Sequence, residues 1–327
     1  MANLKTKYMG LELESPVIAA SSGLTANVDK VKELEQAGAG AVVLKSLFEE
    51  QILYDSNKMT EGYNKEIHAD AVDFFNGMSN SYFLDEYLTL VEECKKAVNI
   101  PVIASVNCVS NGAWLKYAKR FETVGADALE LNAFTIPVNK KLSSEDYEKQ
   151  YYELAEGIKK ALNIPVAMKM STHFTSLARV LDNLADLGIN GLVLFNRFYR
   201  PDIDIDSLKM THAPIFSAAE EMAMSLKWVA LLSGELSADI AASTGIYDSK
   251  GVIKQLLAGA KAVQLCSTLY KNGTGLIGDI NKEVAAWMDD KGFDSITDFN
   301  GILCQEESDN PEVYERAQYM KAAVGIS

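Results

Sequence analysis

Apolar residues in this chain fall into short β-rich runs separated by segments of helical period, and two recurring phrases open most of the runs. One is a glycine followed by small residues and an apolar stretch. It appears as Gly38-Ala39-Gly40-Ala41-Val42-Val43-Leu44, Gly125-Ala126-Asp127-Ala128-Leu129-Glu130-Leu131, Gly188-Ile189-Asn190-Gly191-Leu192-Val193-Leu194 and Gly259-Ala260-Lys261-Ala262-Val263-Gln264-Leu265. Each glycine suits the end of a preceding helix, where the left-handed conformation is common. The other phrase places proline at the first strand residue, where no ladder donor is lost. It appears as Asn99-Ile100-Pro101-Val102-Ile103-Ala104-Ser105 and Asn163-Ile164-Pro165-Val166-Ala167-Met168-Lys169. Ser15-Pro16-Val17-Ile18-Ala19-Ala20 and Ala238-Asp239-Ile240-Ala241-Ala242-Ser243 are looser members of the set.

Interleaved, the phrases predict eight strands at residues 16–21, 40–46, 100–106, 128–133, 165–171, 191–196, 239–244 and 262–267. Strand then helix, repeated in this way, predicts a single α/β domain over residues 1–327 built as a (β/α)8 TIM barrel. A doubly wound open sheet is the competing architecture, and the spacing of two βα units between like phrases favours closure. The interval 47–99 is longer than the others. It holds one helical stretch, Tyr82 to Val98, preceded by polar and aromatic residues that predict a loop over the barrel mouth.

Composition narrows the function. With 327 residues, 48% of them hydrophobic, the chain can fill one large core. A formal charge of −14 repels nucleic-acid phosphates and anionic membranes. No basic segment followed by an apolar stretch opens the chain, and no run approaches the roughly 18 apolar residues of a membrane span, so a cytoplasmic protein is expected. Cys94, Cys108, Cys266 and Cys304 lie far apart, which suggests reduced thiols and neither a zinc site nor a disulfide framework. His68, His173 and His212 show no metal-ligand spacing.

In a barrel of this kind the residues that close each strand line the active site. Here they are polar: Lys45-Ser46, Asn107, Asn132, Lys169, Asn196, Ser243-Thr244-Gly245 and Ser267-Thr268. Lysines ending two buried strands need a partner, because an unpaired ammonium carries a desolvation penalty. A bound anion or electron-rich ring would supply one, and so would a nearby carboxylate such as Glu130. The asparagines offer donors and acceptors to a planar heterocycle. The turns Ser243-Thr244-Gly245-Ile246 and Cys266-Ser267-Thr268 can present amides and hydroxyls to a phosphate, so the set describes a pocket for a phosphorylated, ring-bearing cofactor.

From Tyr8 to Gln305 the chain resembles the soluble dihydroorotate dehydrogenase family. The resemblance rests on Ser15 to Gly23, Gly38 to Ser46, Glu130-Leu131-Asn132, Val166 to Lys169, Gly259 to Leu265 and the stretch Met288 to Phe299. It implies an FMN enzyme that moves a hydride from a dihydropyrimidine ring to the flavin. Ser21, Lys45, Ser46, Asn132, Lys169 and Phe195 would contact the ring or ribityl chain, and Ser243, Thr244, Gly245, Cys266 and Ser267 the phosphate. Lys45, Asn132, Asn196 and Arg197 would face substrate. Lys169 would stabilise the anionic reduced ring. The family's catalytic loop carries a cysteine, or a serine in the membrane-associated class, as proton acceptor; here the same stretch reads Asn132-Ala133-Phe134-Thr135-Ile136-Pro137-Val138, with Thr135 in that place. A threonine hydroxyl is a far weaker base than a thiolate. A plain loop residue is the competing account of Thr135.

Other features stay open at this level. Arg197 and Arg200 would hold a substrate carboxylate through a guanidinium fork, or neutralise an acidic surface or dimer contact. Phe74, Phe75, Tyr82 and Phe83 would form a lid or pack a helix. A non-redox lyase or isomerase using Lys45 or Lys169, and a flavin binder with lapsed catalysis, are the alternative functions. A homodimer is expected from the resemblance. An iron–sulfur partner subunit is conceivable, with no sequence feature that indicates it.

Overall fold

The computed structural model describes residues 2–51, 83–108, 115–133, 135–198, 200–309 and 311–314. The chain opens with an antiparallel hairpin, β1 (Thr6–Tyr8) and β2 (Leu11–Leu13). Eight parallel strands then close a barrel: β3 (Val17–Ala19), β4 (Ala41–Val43), β6 (Val102–Cys108), β7 (Ala128–Ala133), β8 (Val166–Met170), β9 (Gly191–Leu194), β12 (Asp239–Ser243) and β13 (Ala262–Leu265). β4 pairs with β6, and β13 returns to β3. A short β5 (Leu47–Phe48) runs beside the upper half of β6. Seven of the eight predicted runs contain one of these barrel strands, and the run 100–106 overlaps β6, which continues to Cys108.

Nine helices are described: α1 (Val28–Gln36), α2 (Phe83–Ala97), α3 (Leu115–Thr123), α4 (Ser144–Ala161), α5 (Leu177–Asp186), α6 (Met222–Leu232), α7 (Ser249–Leu257), α8 (Ser267–Asn272) and α9 (Leu276–Lys291). The predicted helix at Tyr82–Val98 is α2. Gly38, Gly125, Gly188 and Gly259 all take positive φ just after a helix end, as their recurrence before the strands predicts.

Strand alternation sorts the side chains into two cores. Val42, Leu129, Leu131, Met168, Leu192 and Val263 face outward and are covered by helices. Ile18, Val43, Ile103, Ala128, Ala167, Val193, Ala241 and Ala262 fill the barrel interior with Tyr8, Met9 and Leu13 of the opening hairpin. The hairpin is therefore a plug at the N-terminal end of the strands. Gly191 makes room for it: a Cβ there would stand 2.6 Å from the Met9 sulfur and 2.7 Å from the Tyr8 hydroxyl. The Met9 N–H donates to the Asp239 carboxylate at 2.7 Å, and burial still raises that carboxyl's pKa above its ordinary value.

The segment after β9 holds an element that the strand-ending pattern did not indicate, an antiparallel hairpin of β10 (Pro201–Asp204) and β11 (Lys209–His212). Every residue in both strands is exposed. Of the suggested lid aromatics, Phe74, Phe75 and Tyr82 lie outside the described residues, as do His68 and most of the proposed mouth loop. Phe83 is buried at the start of α2 and packs in the main core.

Candidate active site

Along each inward-facing series, residues change from small and apolar near the plug to polar near the mouth. The series are Ala128, Glu130, Asn132 on β7; Ala167, Lys169 and then Ser171 from β8; and Ala262, Gln264 and then Cys266 from β13. A period of two places them on one face, and the parallel strands bring all their C-terminal ends to one rim. The result is a cleft of about 220 Å³. Among the expected site residues it is lined by Ser21, Lys169, Asn196, Arg197, Ser243, Thr244, Gly245, Cys266 and Ser267.

The floor is a buried polar chain. Lys169 Nζ donates to Gln264 Oε1 at 3.1 Å, and Gln264 Nε2 donates to Glu130 Oε2. Glu130 is 1% exposed, and its other carboxylate oxygen has no hydrogen-bond partner. Lys169 thus does have a carboxylate behind it, reached through a glutamine that the strand-end pattern did not single out. At one wall the Ser21 and Ser46 hydroxyls are 3.0 Å apart, and Ser46 N–H donates to Ser21 Oγ at 2.9 Å. Ser46 Oγ also meets Ser105 Oγ at 2.7 Å, and the Ser105 N–H donates to the Tyr87 hydroxyl. This hydroxyl ladder ties the ends of β3, β4 and β6 to helix α2.

The turns that follow β12 and β13 are tightly built. Thr244 and Gly245 both have positive φ, 75° and 76°, and Thr244 Oγ1 donates to the Phe195 carbonyl at 3.0 Å. A Cβ on Gly245 would stand 2.2 Å from the Met222 nitrogen, so glycine lets the start of α6 come against the cleft. Ser267 Oγ accepts from the Ser217 N–H at 3.0 Å. The Cys266 thiol, raised by burial and pulled back by the Lys169 ammonium and a hydrogen bond from Ser22, faces the same space.

Not every expected residue arrives there. Lys45 is exposed beyond the end of β4 and does not line the cleft. Phe195 is buried, and its carbonyl rather than its ring is what the turn uses. Asn132 lies just outside the lining, where its Oδ1 accepts from Asn196 Nδ2 at 2.8 Å. Thr135 stands near Tyr151, whose hydroxyl donates to the Ala133 carbonyl at 3.5 Å; burial raises that phenol, and contacts with Ser171 and Thr135 oppose the rise. Arg197 lines the cleft, but its fork is engaged: Nε donates to Glu221 at 3.1 Å, Nη1 to the Ile215 carbonyl at 2.8 Å and Nη2 to that of Pro214 at 2.9 Å. Arg200, exposed, meets the same Glu221 at 2.7 Å. A larger hollow of about 350 Å³ opens between the loops around Pro137–Lys140 and His173–Thr175, and none of the expected site residues line it.

Gln264, Glu221, Tyr151 and Ser171 are the functional neighbours that strand-end reasoning missed. Inward alternation from Cys266 would have found Gln264, and from Lys169, Ser171. Nothing local marks the other two.

The donor set and the glycine cradle fit a flavin mononucleotide: an ammonium on the floor, hydroxyls and an amide around it, and a turn at one end relieved of a side chain. Among the described residues, no group of histidine, cysteine and acidic side chains is arranged to hold a metal, and no helix is long and apolar enough to cross a membrane.

A family model described as "Dihydroorotate dehydrogenase" matches residues 3–288. The catalytic subunit named dihydroorotate dehydrogenase B (NAD(+)) from Thermoplasma volcanium is 27% identical over 310 residues, covering 92% of this chain and 99% of the relative. Its counterpart from Methanocaldococcus jannaschii is also 27% identical, covering 89% and 95%. A protein named putative dihydroorotate dehydrogenase A (fumarate) from Aeropyrum pernix is 27% identical, covering 91% and 96%. With the match running from the plug through the barrel and both mouth turns, this chain belongs to the dihydroorotate dehydrogenase family.

Proposed function

We propose that the chain is an FMN-dependent oxidoreductase of CH–CH groups that oxidises dihydroorotate, or a related cyclic substrate, in pyrimidine biosynthesis. The observation that carries this reading is the convergence on one cleft of Lys169, Ser21, Asn196 and the turns at Ser243–Gly245 and Cys266–Ser267. FMN, when bound, accepts the hydride. Lys169 supplies positive charge to the ring, where it stabilises the negative charge gained on reduction. The turns hold the phosphate, with Gly245 allowing close backbone approach. Asn196 faces the substrate at the mouth, with Asn132 bonded behind it, while the exposed Lys45 stands outside the cleft.

Thr135 takes the family's acid–base position. Tyr151, itself in contact with Ser171, orients its hydroxyl, and the raised phenol keeps Tyr151 a neutral partner rather than a base at neutral pH. Arg197 holds the segment Pro214–Ile215 over the cleft instead of contributing a free fork. The lyase alternative finds no support, because Lys169 is tied to Gln264 and Lys45 is exposed.

The chain would work in the cytoplasm as a homodimer. The hairpin after β9 supports self-association: Ile203 pairs with Met210 across it, and Ile203, Ile205, Leu208 and Met210 are all exposed, which is unusual unless another surface covers them. Two of the relatives are named catalytic subunits, which supports a further subunit.

The test is the visible spectrum of the purified protein, followed by anaerobic addition of dihydroorotate. Flavin absorbance that bleaches supports the reading. A flavin that stays oxidised points to another substrate or lapsed catalysis, and a protein that cannot be loaded with FMN overturns it.

A further inference from the structure

The polar chain on the barrel floor joins the paired strands β7 and β8 to β13 across the barrel. In order around the barrel the strands run β3, β4, β6, β7, β8, β9, β12, β13, so Glu130 on β7 and Gln264 on β13 stand on opposite walls. Their side chains nevertheless meet in the middle, and Lys169 on β8 joins the same amide. Gln264 is 2% exposed and Lys169 9%, so neither end of the amide has bulk water as an alternative partner. A carboxylate only accepts and an ammonium only donates, whereas a glutamine amide has one end of each kind. Glu130 therefore turns the NH₂ end toward itself and leaves the carbonyl for Lys169.

We propose that Glu130 is a positioning residue, which acts through the amide of Gln264 to hold the Lys169 ammonium at the floor of the cleft, aimed at the ring edge of the bound flavin. This rests on the FMN reading given above. Glu130 does not itself line the cleft, and its charge stands behind that of Lys169. Two effects of the carboxylate on the flavin thus oppose each other in sign. As a bare negative charge it would disfavour the anionic reduced ring. As the anchor of Lys169 it favours that ring, by keeping the positive charge in place.

The flavin midpoint potential separates these effects. In Glu130→Leu, which has no acceptor for the Gln264 amide, the potential is expected to fall below wild type toward that of Lys169→Met, with FMN bound about tenfold more weakly, equivalent to about 1.4 kcal/mol. Glu130→Gln keeps an acceptor and is expected to restore most of both values. Gln264→Leu cuts the chain in the middle and is expected to lower the potential as well, which covers the case of a Glu130→Leu chain that does not fold. A potential that stays level or rises in the leucine variants overturns the proposal.

A second measurement needs no flavin. In a thermal double-mutant cycle on the flavin-free protein, the losses of Glu130→Leu and Lys169→Met are expected to be non-additive, although the two side chains share no direct bond. Additive losses in a protein that binds FMN overturn this inference alone. A protein that shows the coupling and takes up no FMN overturns the flavin reading, and with it the flavin part of this proposal.

Discussion

Arg197 and Glu221 form a partly buried ion pair, Nε to Oε2 at 3.1 Å, whose remaining guanidinium donors bind the carbonyls of Pro214 and Ile215. One side chain from the end of β9 thereby fixes the segment that crosses the cleft to the turn leading into α6. Arg197→Ala leaves the two carbonyls without their donor and Glu221 with the Ala218 N–H and Arg200 alone, a loss of about 1–3 kcal/mol. Weaker FMN retention on gel filtration and a lower Tm are expected, while Arg197→Lys, which cannot span three acceptors, recovers little of either.

The same pair sets a pH dependence. Burial pushes the Glu221 carboxyl upward, but the Ala218 N–H and the guanidinium groups of Arg197 and Arg200 outweigh it, so the folded pKa lies below the ordinary value. A depressed carboxyl contributes stability that is fully present above its unfolded pKa, about 4.3, and is lost as pH falls through the folded value. The stability difference between wild type and Glu221→Gln should be flat from pH 6 to 8, taken as a rough window of full ionisation, and shrink in acid. A difference that instead grows toward acid would contradict the assignment.

Gly245→Ala places a Cβ against the Met222 nitrogen on a backbone at φ 76°. The strain is about 1–3 kcal/mol before the clash is relieved by moving α6. FMN titration should show affinity reduced at least about tenfold, which corresponds to 1.4 kcal/mol. Gly275→Ala is the control, since that glycine has helical φ and nothing near its missing Cβ; unchanged FMN affinity is expected there.

Cys266 reports on occupancy of the cleft. Burial raises its thiol, and that of the buried Cys94 to about 11, so iodoacetamide should label Cys266 slowly at neutral pH and faster as pH rises. Peptide mass spectrometry should show protection by FMN. Labelling that is indifferent to FMN would place the cofactor elsewhere.

In the proposed role Thr135 relays the substrate proton, receiving it at its hydroxyl oxygen while its own hydroxyl proton passes to water; Thr135→Val removes that relay, and bleaching by dihydroorotate should slow by about 10²-fold or more with the oxidised flavin spectrum unchanged. Thr135→Cys should speed it, because a thiolate is the stronger base and nucleophile. Equal rates for all three proteins would make Thr135 an ordinary loop residue.

Met210→Asp puts a charge opposite Ile203 on the exposed apolar hairpin. Sedimentation should find wild type as a dimer and the variant at half that mass. A variant that keeps the dimer mass would move the interface to another face.

How much of this was legible in the chain differs by element. Strands such as Val166–Met170 and the glycines that follow helix ends are set by neighbours within a few residues, so the Asn-Ile-Pro and glycine phrases, with two looser members at Ser15–Ala20 and Ala238–Ser243, located all eight barrel strands. The polar strand ends followed, because parallel strands carry every C-terminal residue to one rim. The β10–β11 hairpin has a local signal in the alternation of Asp202, Ile203, Asp204 and Ile205, which lies outside the strand phrases.

What the chain order could not supply is partnership across the closed barrel. Glu130 and Gln264 are 134 residues apart and meet only because the sheet closes. For Arg197 the chain leaves a substrate fork and a surface or dimer counter-charge both open, and neither names the segment 17 residues later that folds back onto it. Lys45 looked equivalent to Lys169, yet one stands exposed past its strand end while the other is inward and buried. Local periodicity determined which residues face the mouth. Closure of the sheet decided which of them have a partner there, since hydrogen-bond geometry acts over a few ångströms of space and is indifferent to distance along the chain.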